Sequence, residues 1–176
     1  MLGDMPTTPA TGTRQTLLIV YHSMTGGTRQ MAQAAREAAA RETGVNVRLL
    51  HAADAGAQDV LSAAGYLFAT PENLASMSGV MKDFFDRTYY AALEQINGRP
   101  YATMVCAGSD GSNAARQMAR IATGWRLKEV AEPLIVCTHA QTPEAILAQK
   151  HIPAADLERC AALGEAFATG LALGVF

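Results

Sequence analysis

The chain has 176 residues, of which 49% are apolar and 17% charged, and its formal net charge at pH 7 is −2. These proportions exclude an intrinsically disordered chain and allow one well-filled core. They equally exclude a basic field for nucleic acid or an anionic membrane, and a strongly acidic docking surface.

Residues 1–15 are rich in Thr, Pro and Gly and read as a flexible N-terminal tail, leaving 16–176 as a single domain. Asp4 precedes the first basic residue, Arg14, with no apolar run, so this start does not read as a signal peptide. The segment Leu17–Tyr21 is a short apolar run closed by a Ser/Thr/Gly cluster, the pattern of a strand buried on both faces. Thr28–Thr43 follows as an Ala-rich helix with Met31, Ala34, Ala35, Ala38 and Ala39 at helical spacing and Gly44 as its stop. Val45–Leu50 is an edge-like strand, because Asn46 and Arg48 alternate with apolar neighbours.

A short helical stretch near Asp59–Ala64 leads into a third strand, Gly65–Thr70. Ser78–Leu93 is the clearest helix, with Val80, Met81, Phe84, Phe85 and Thr88 on one face and opposite charges at i,i+4 on the other. Tyr101–Cys106 is a fourth strand, Asn113–Thr123 a helix closed by Gly124, and Ala131–Cys137 a fifth strand placed near an edge by Pro133. Pro153 suits the first turn of a final helix whose inward face holds Leu157, Ala161, Gly164, Ala168 and Leu171. Its end, Ala166–Phe176, is uncharged but far short of the ~20 residues a membrane span needs. Strand and helix thus alternate about five times, which predicts an α/β fold: a doubly wound parallel sheet with helices on both faces. Cys106, Cys137 and Cys160 form no C-x-x-C spacing and suit a reducing compartment, so the protein is expected in the cytoplasm.

Open sheets of this kind bind ligands at the carboxyl ends of their strands. After the first strand comes Ser23-Met24-Thr25-Gly26-Gly27-Thr28, running straight into a helix. Two glycines permit a turn that aims backbone N–H groups inward, hydroxyls surround them, and the helix start adds partial positive charge. These parts make a phosphate cradle. A nucleoside triphosphatase loop, G-x-x-x-x-G-K-S/T, would need a Lys that the loop lacks, and the dinucleotide fingerprint G-x-G-x-x-G is absent. A monophosphate held by amides and hydroxyls remains.

The pattern S-x-T-G-x-T after the first strand resembles the flavin mononucleotide (FMN) phosphate loop of the flavodoxin-like family. The stretch from Thr70 to Gly79, followed by Met81-Lys82-Asp83-Phe84-Phe85-Asp86-Arg87, is similar to the third-strand loop and helix of flavoprotein quinone reductases related to the tryptophan-repressor-binding protein. The resemblance spans Thr16–Phe176 and implies a flavodoxin-like, three-layer α/β/α fold with five strands in the order 2-1-3-4-5. It further implies that Ser23, Met24, Thr25, Gly26, Gly27 and Thr28 hold the phosphate. Pro71, Glu72, Asn73, Leu74, Ala75, Ser76, Met77 and Gly79 would lie along the isoalloxazine ring, with Gly79 easing entry into the helix. Ala107, Gly108, Ser109, Asp110 and Gly111 would line the ring's other side.

Neither of those two ring loops contains an aromatic residue, which suits an open ring face and small reactants rather than a docked redox protein. The implied activity is an NAD(P)H-dependent oxidoreductase with noncovalent FMN, reducing quinones or other small acceptors, with NADH or NADPH as donor. The flavin would carry the hydride, so no side chain is nominated as catalytic, and no metal is expected. The alternative is an electron-carrying flavodoxin. No long insertion follows the fourth strand, which disfavours a tetramer and leaves a homodimer open. The sequence Ala107-Gly108-Ser109-Asp110-Gly111 also comes close to a hydrolase nucleophile elbow, G-x-S-x-G, with His139, His151 and Asp156 downstream. Ala107 replaces its first glycine, however, and a hydrolase would leave the phosphate cradle unexplained. His22 and His51 read as capping or surface residues, Cys106 as a buried strand residue, and Trp125 as packing rather than a flavin platform.

Overall fold

Alternation of buried apolar strands with one-sided helices closes into a parallel sheet in the computed structural model, which describes residues 14–176. The tail reading for residues 1–13 lies outside the described residues, and Gln15 already opens the first strand. The elements are β1 (Gln15–Tyr21), α1 (Gly27–Ala39), β2 (Val45–His51), α2 (Ala57–Ser62), β3 (Gly65–Asn73) and β4 (Ser76–Met77). Then come α3 (Gly79–Ala92), β5 (Pro100–Ala107), α4 (Ser112–Gly124), β6 (Lys128–Glu129), β7 (Leu134–Cys137), α5 (Pro143–Leu147) and α6 (Ala154–Leu173).

The main path runs β2-β1-β3-β5-β6, with β7 pairing the far end of β5 and β4 folding back on β3. Strand β5 pairs Lys128 and Glu129 at its start and Leu134–Cys137 at its end, so β6 and β7 together fill one sheet position. The fifth strand predicted over Ala131–Cys137 is therefore broken in two. Pro133 sits in the gap, where a missing N–H costs no ladder bond. Counted by position, the order is the expected 2-1-3-4-5.

Period-two alternation sends each strand's residues into two separate cores. Leu18, Val20, Tyr66, Phe68 and Val105 face one core with α2, α3 and α4. Leu17, Ile19, Leu67, Met104 and Cys106 face the other with α1 and α6. Trp125 is fully buried, donates its Nε1–H to the Tyr89 carbonyl at 2.9 Å and stacks on Tyr89 with centroids 5.7 Å apart. Its packing role is as read from sequence. Gly124 does not close α4 by turning left-handed: a Cβ there would collide with Tyr89 Oη, and Arg126 (φ 56°) carries the positive φ instead.

Burial also predicts an alkaline limit to stability. It pushes the Tyr101 hydroxyl up to about 12, with the Glu129 carboxylate acting in the same direction. It raises the Cys160 thiol to about 12 and the Cys106 thiol to about 11, where the Lys150 ammonium opposes the shift. Groups whose native pKa lies above the unfolded value stabilise the fold fully below the unfolded value and cease to as pH passes the native one. Stability should hold below pH ~9 and fall between about 9 and 12. In Tyr101→Phe, urea unfolding at stepped pH should show a shallower fall above about pH 10; an unchanged profile would remove Tyr101 from the account.

Candidate functional site

Strand order reverses between β1 and β3, so the connections leaving their carboxyl ends, β1 to α1 and β3 to α3, diverge to opposite faces and leave a crevice there. An open cleft occupies it. Its lining comes from Ser23–Thr28, Pro71–Asn73, Cys106–Gly108, and a later stretch that supplies Thr138, Ala140, Ile146 and Lys150. Among the described lining residues there is no Phe, Tyr or Trp.

One end of the cleft is the start of α1. Gly26 is the N-cap, with φ 90°, and offers no side-chain cap; its N–H donates to Ser23 Oγ at 3.1 Å. The next N–H groups, of Gly27, Thr28 and Arg29, have no acceptor within the helix. Thr28 is 1% exposed, and among the described residues its Oγ1 has no oxygen or nitrogen partner, only the Cys106 thiol beside it. A buried hydroxyl without such a partner costs about 1–3 kcal/mol, so a ligand acceptor at this position would relieve an existing penalty. A Cβ on Gly27 would lie 2.6 Å from Cys106 Sγ, which makes glycine the residue that lets α1 approach β5 so closely. Burial keeps the Cys106 thiol protonated near neutral pH, so it packs against the cradle and supplies no thiolate.

The other end is acidic and rigid. Strand β3 runs past Thr70 to Asn73 and returns through a tight hairpin, pairing Glu72 with Met77 and Asn73 with Ser76. The segment Pro71–Gly79 is therefore a small hairpin leading into α3. Glu72 Oε2 accepts the Gly111 N–H at 2.8 Å at the α4 N-cap, where partial positive charge favours a carboxylate. Gln117 Oε1 accepts from Ser76 Oγ at 2.8 Å and from Met77 N at 3.0 Å, and Asn113 Nδ2 donates to the Ala75 carbonyl at 2.6 Å. Ser78 caps α3 by accepting from Met81 N, and Thr70 Oγ1 accepts the Ser78 N–H.

Of the residues singled out from sequence, the cleft gathers Ser23, Met24, Thr25, Gly27, Thr28, Pro71, Glu72, Asn73, Ala107 and Gly108. Gly26 turns the loop and borders a neighbouring hollow with Tyr21, Arg29 and His51. Leu74 and Ala75 form the hairpin tip, and Leu74 is fully exposed. Ser76 and Met77 face Gln117 outside the cleft, Gly111 donates to Glu72, and Ser109 and Asp110 are exposed beside it. Entry into the helix does not require glycine at position 79 as expected: Gly79 is the first residue of α3, has no positive φ, and nothing lies within 4 Å of a Cβ placed there.

The hydrolase arrangement also fails. Ser109 does not take the strained positive φ of a nucleophile elbow, and among the described residues no histidine hydrogen-bonds its hydroxyl. His51 Nδ1 accepts from Ala53 N at 3.2 Å, the capping role expected of it. His22 differs: its Nδ1 is buried without a partner, and burial, with His51 adding to it, lowers its pKa.

Sequence reasoning missed the contribution of the segment before α6. The N–H of Lys150 donates to the Thr25 carbonyl at 2.8 Å, bringing a lysine to a loop that has none of its own. No local pattern in residues 138–152 announces this, because the contact closes a loop of more than a hundred residues. The hairpin tip was likewise hidden. Leu74 (φ 51°) and Ala75 (φ 60°) both take left-handed backbone, which Asn-Gly would adopt at less cost. Leu74→Asn with Ala75→Gly should raise stability by about 1 kcal/mol, read as a later urea midpoint. A lower midpoint would mean that the leucine makes a contact the tip requires.

A doubly wound sheet with a ligand crevice at its switch point and a phosphate-type loop after β1 defines the flavodoxin-like class. Solved structures share this fold: a flavodoxin from the domain Archaea superimposes with a TM-score of 0.71 at 18% identity, covering 89% of this chain and 99% of that one. The WrbA-like flavodoxin from Agrobacterium tumefaciens does so at 0.61 and 18%, covering 89% and 97%. The sequence pattern of the NADPH-dependent FMN reductase family matches residues 52–142, just over half of the chain, and the chain belongs to that family. A flavodoxin of Aquifex aeolicus (strain VF5) is 36% identical over 83 residues, covering 47% of this chain and 45% of that protein. An NAD(P)H dehydrogenase (quinone) of Acidithiobacillus ferrooxidans (strain ATCC 53993 / BNL-5-31) is 30% identical over 92 residues, covering 41% and 46%. The chain thus aligns with a little under half the length of each of these curated relatives.

Proposed function

We propose that the cleft holds FMN noncovalently and that the protein is an NAD(P)H-dependent oxidoreductase acting on quinones or other small acceptors. The observation that carries this reading is the uncapped start of α1 inside the crevice, where the buried Thr28 hydroxyl has no oxygen or nitrogen partner. A phosphate would satisfy that hydroxyl together with the free N–H groups of Gly27, Thr28 and Arg29. Membership of the FMN reductase family supports the same cofactor. Pro71, Glu72 and Asn73 on one side and Ala107 and Gly108 on the other would hold the ring.

When bound, FMN supplies hydride and electron transfer chemistry at its ring. The chain's own part is binding, orientation and control of charge. The hairpin is fixed to α4 through Gln117, Asn113 and Glu72, so the lining from Pro71 to Asn73 is rigid before any ligand arrives. The Glu72 carboxylate disfavours additional negative charge at that end of the cleft, whereas the α1 start favours it at the other. A ligand with an anionic tail and a neutral ring is thereby oriented. Among the described lining residues no aromatic side chain covers the cleft, which favours an enzyme over a carrier.

Steady-state oxidation of NADH or NADPH by FMN-loaded protein, with and without a benzoquinone, tests the activity. Turnover that requires the loaded protein and rises with quinone is expected. Protein that holds FMN but accepts electrons only through a separate reductase would be an electron carrier, the reading that its likeness to the Aquifex flavodoxin favours.

A further inference from the structure

A cation beside the phosphate-type cradle comes from a distant part of the chain, and the placement of its backbone is built rather than incidental. The Lys150 N–H donates to the Thr25 carbonyl, tying its backbone to the loop. Gln30, one turn into α1, bridges the two segments. Its Nε2 donates to the Gly26 carbonyl at 3.0 Å and to the Lys150 carbonyl at 2.7 Å, while its Oε1 accepts the Ile152 N–H at 3.1 Å. The Lys150 Cβ is 3.4 Å from the point a Gly27 Cβ would occupy, so the side chain starts beside the first turn of α1. It also lines the cleft in which the buried Thr28 hydroxyl lies.

Resting on the FMN reading above, we propose that Lys150 is a specificity residue of this site: its ammonium pairs with the ligand's terminal phosphate and so discriminates the phosphorylated flavin from riboflavin. In this structure the ammonium donates to the carbonyls of Ala145, Ile146 and Ala148 at the end of α5. Those are neutral acceptors at a solvent-facing helix end. Exchanging one of them for a dianionic phosphate replaces a bond to a neutral acceptor with a hydrogen-bonded ion pair. The stem has the reach, because about five ångströms separate a lysine Cβ from its Nζ when extended. The Lys150 ammonium also opposes the larger effect of burial on the Cys106 thiol, the residue that lies against the Gly27 turn. Arg29 is the competing cation: its Nη2 lies 3.9 Å from the point a Gly26 Cβ would occupy, but it lines the neighbouring hollow with Tyr21 and His51 and not the cleft. Gln30 is then a positioning residue that acts through Lys150.

Fluorescence titration of flavin-free protein with FMN and with riboflavin tests this, at low and high salt. Lys150→Met keeps the apolar stem and removes the charge. It should weaken FMN about tenfold, the scale of one charge-assisted hydrogen bond, and leave riboflavin unchanged. It should also flatten the salt dependence of FMN affinity, which Lys150→Arg restores. Gln30→Ala should reproduce the FMN-specific loss, with Arg29→Met close to wild type. Equal losses for the two flavins, full FMN affinity in Lys150→Met, or an FMN-specific loss confined to Arg29→Met would each overturn the assignment while leaving the cofactor reading intact. Wild-type protein that binds neither flavin would overturn both.

Discussion

Gly27→Ala is expected to lower FMN affinity at least about hundredfold while the protein still folds. The added Cβ meets Cys106 Sγ at 2.6 Å and stands 3.4 Å from both Ile152 Cδ1 and Lys150 Cβ. Cys106 is a buried residue of β5, so the clash is relieved by moving its Sγ into packed core or by shifting the first turn of α1 away from the sheet, and the shorter path is the shift of the turn. Overpacking of this kind costs about 1–3 kcal/mol of stability, which a domain of this size survives. The N–H groups of Gly27 and Thr28 move with the turn. Each hydrogen bond to a charged group contributes about 1.5–3 kcal/mol, so misaligning two gives the stated loss. The companion variant Gly27→Ala/Cys106→Ala removes the sulfur and should recover most of the affinity. A double variant as weak as Gly27→Ala alone would mean that the cradle is not where glycine is required.

Thr28→Val should move fold stability and ligand affinity in opposite directions. Valine has the shape of threonine and the same β-branching, so the helix start is unchanged. It deletes a buried hydroxyl that has no oxygen or nitrogen partner, and the flavin-free protein should become more stable by about 1 kcal/mol in urea unfolding. FMN, deprived of a donor, should bind about tenfold or more weakly. Thr103 supplies the control: its Oγ1 is also buried and unpartnered, but it lies in β5 away from the cleft lining. Thr103→Val should stabilise the fold with no change in FMN affinity. A destabilised flavin-free Thr28→Val would show that the hydroxyl has a partner in the protein itself.

The parts legible in the sequence are those determined by local chemistry. Runs such as Leu17–Tyr21 and Gly65–Thr70 are apolar on both sides because helices cover both faces of the sheet, so they announce strands without tertiary information. The cradle at Ser23–Thr28 is equally local, because glycines and hydroxyls at a helix start have the same meaning wherever the helix packs. What stayed hidden depends on distant partners or on backbone that its own residues disfavour. Lys150 reaches Thr25 only because Gln30 holds the two segments together. The Leu74-Ala75 turn uses neither of the residues by which such turns are recognised and is held by Gln117 and Asn113 on α4. Gly124 looked like a helix stop but is small because Tyr89 lies against it.

The proposed function requires a flavin bound through its phosphate in the cleft between Ser23–Thr28 and Pro71–Asn73. Calorimetric titration of flavin-free protein with FMN and with riboflavin measures this directly. One FMN per chain is expected, bound at least about hundredfold more tightly than riboflavin, because several charge-assisted hydrogen bonds depend on the phosphate. Equal affinities for the two ligands, or no binding of either, would contradict it.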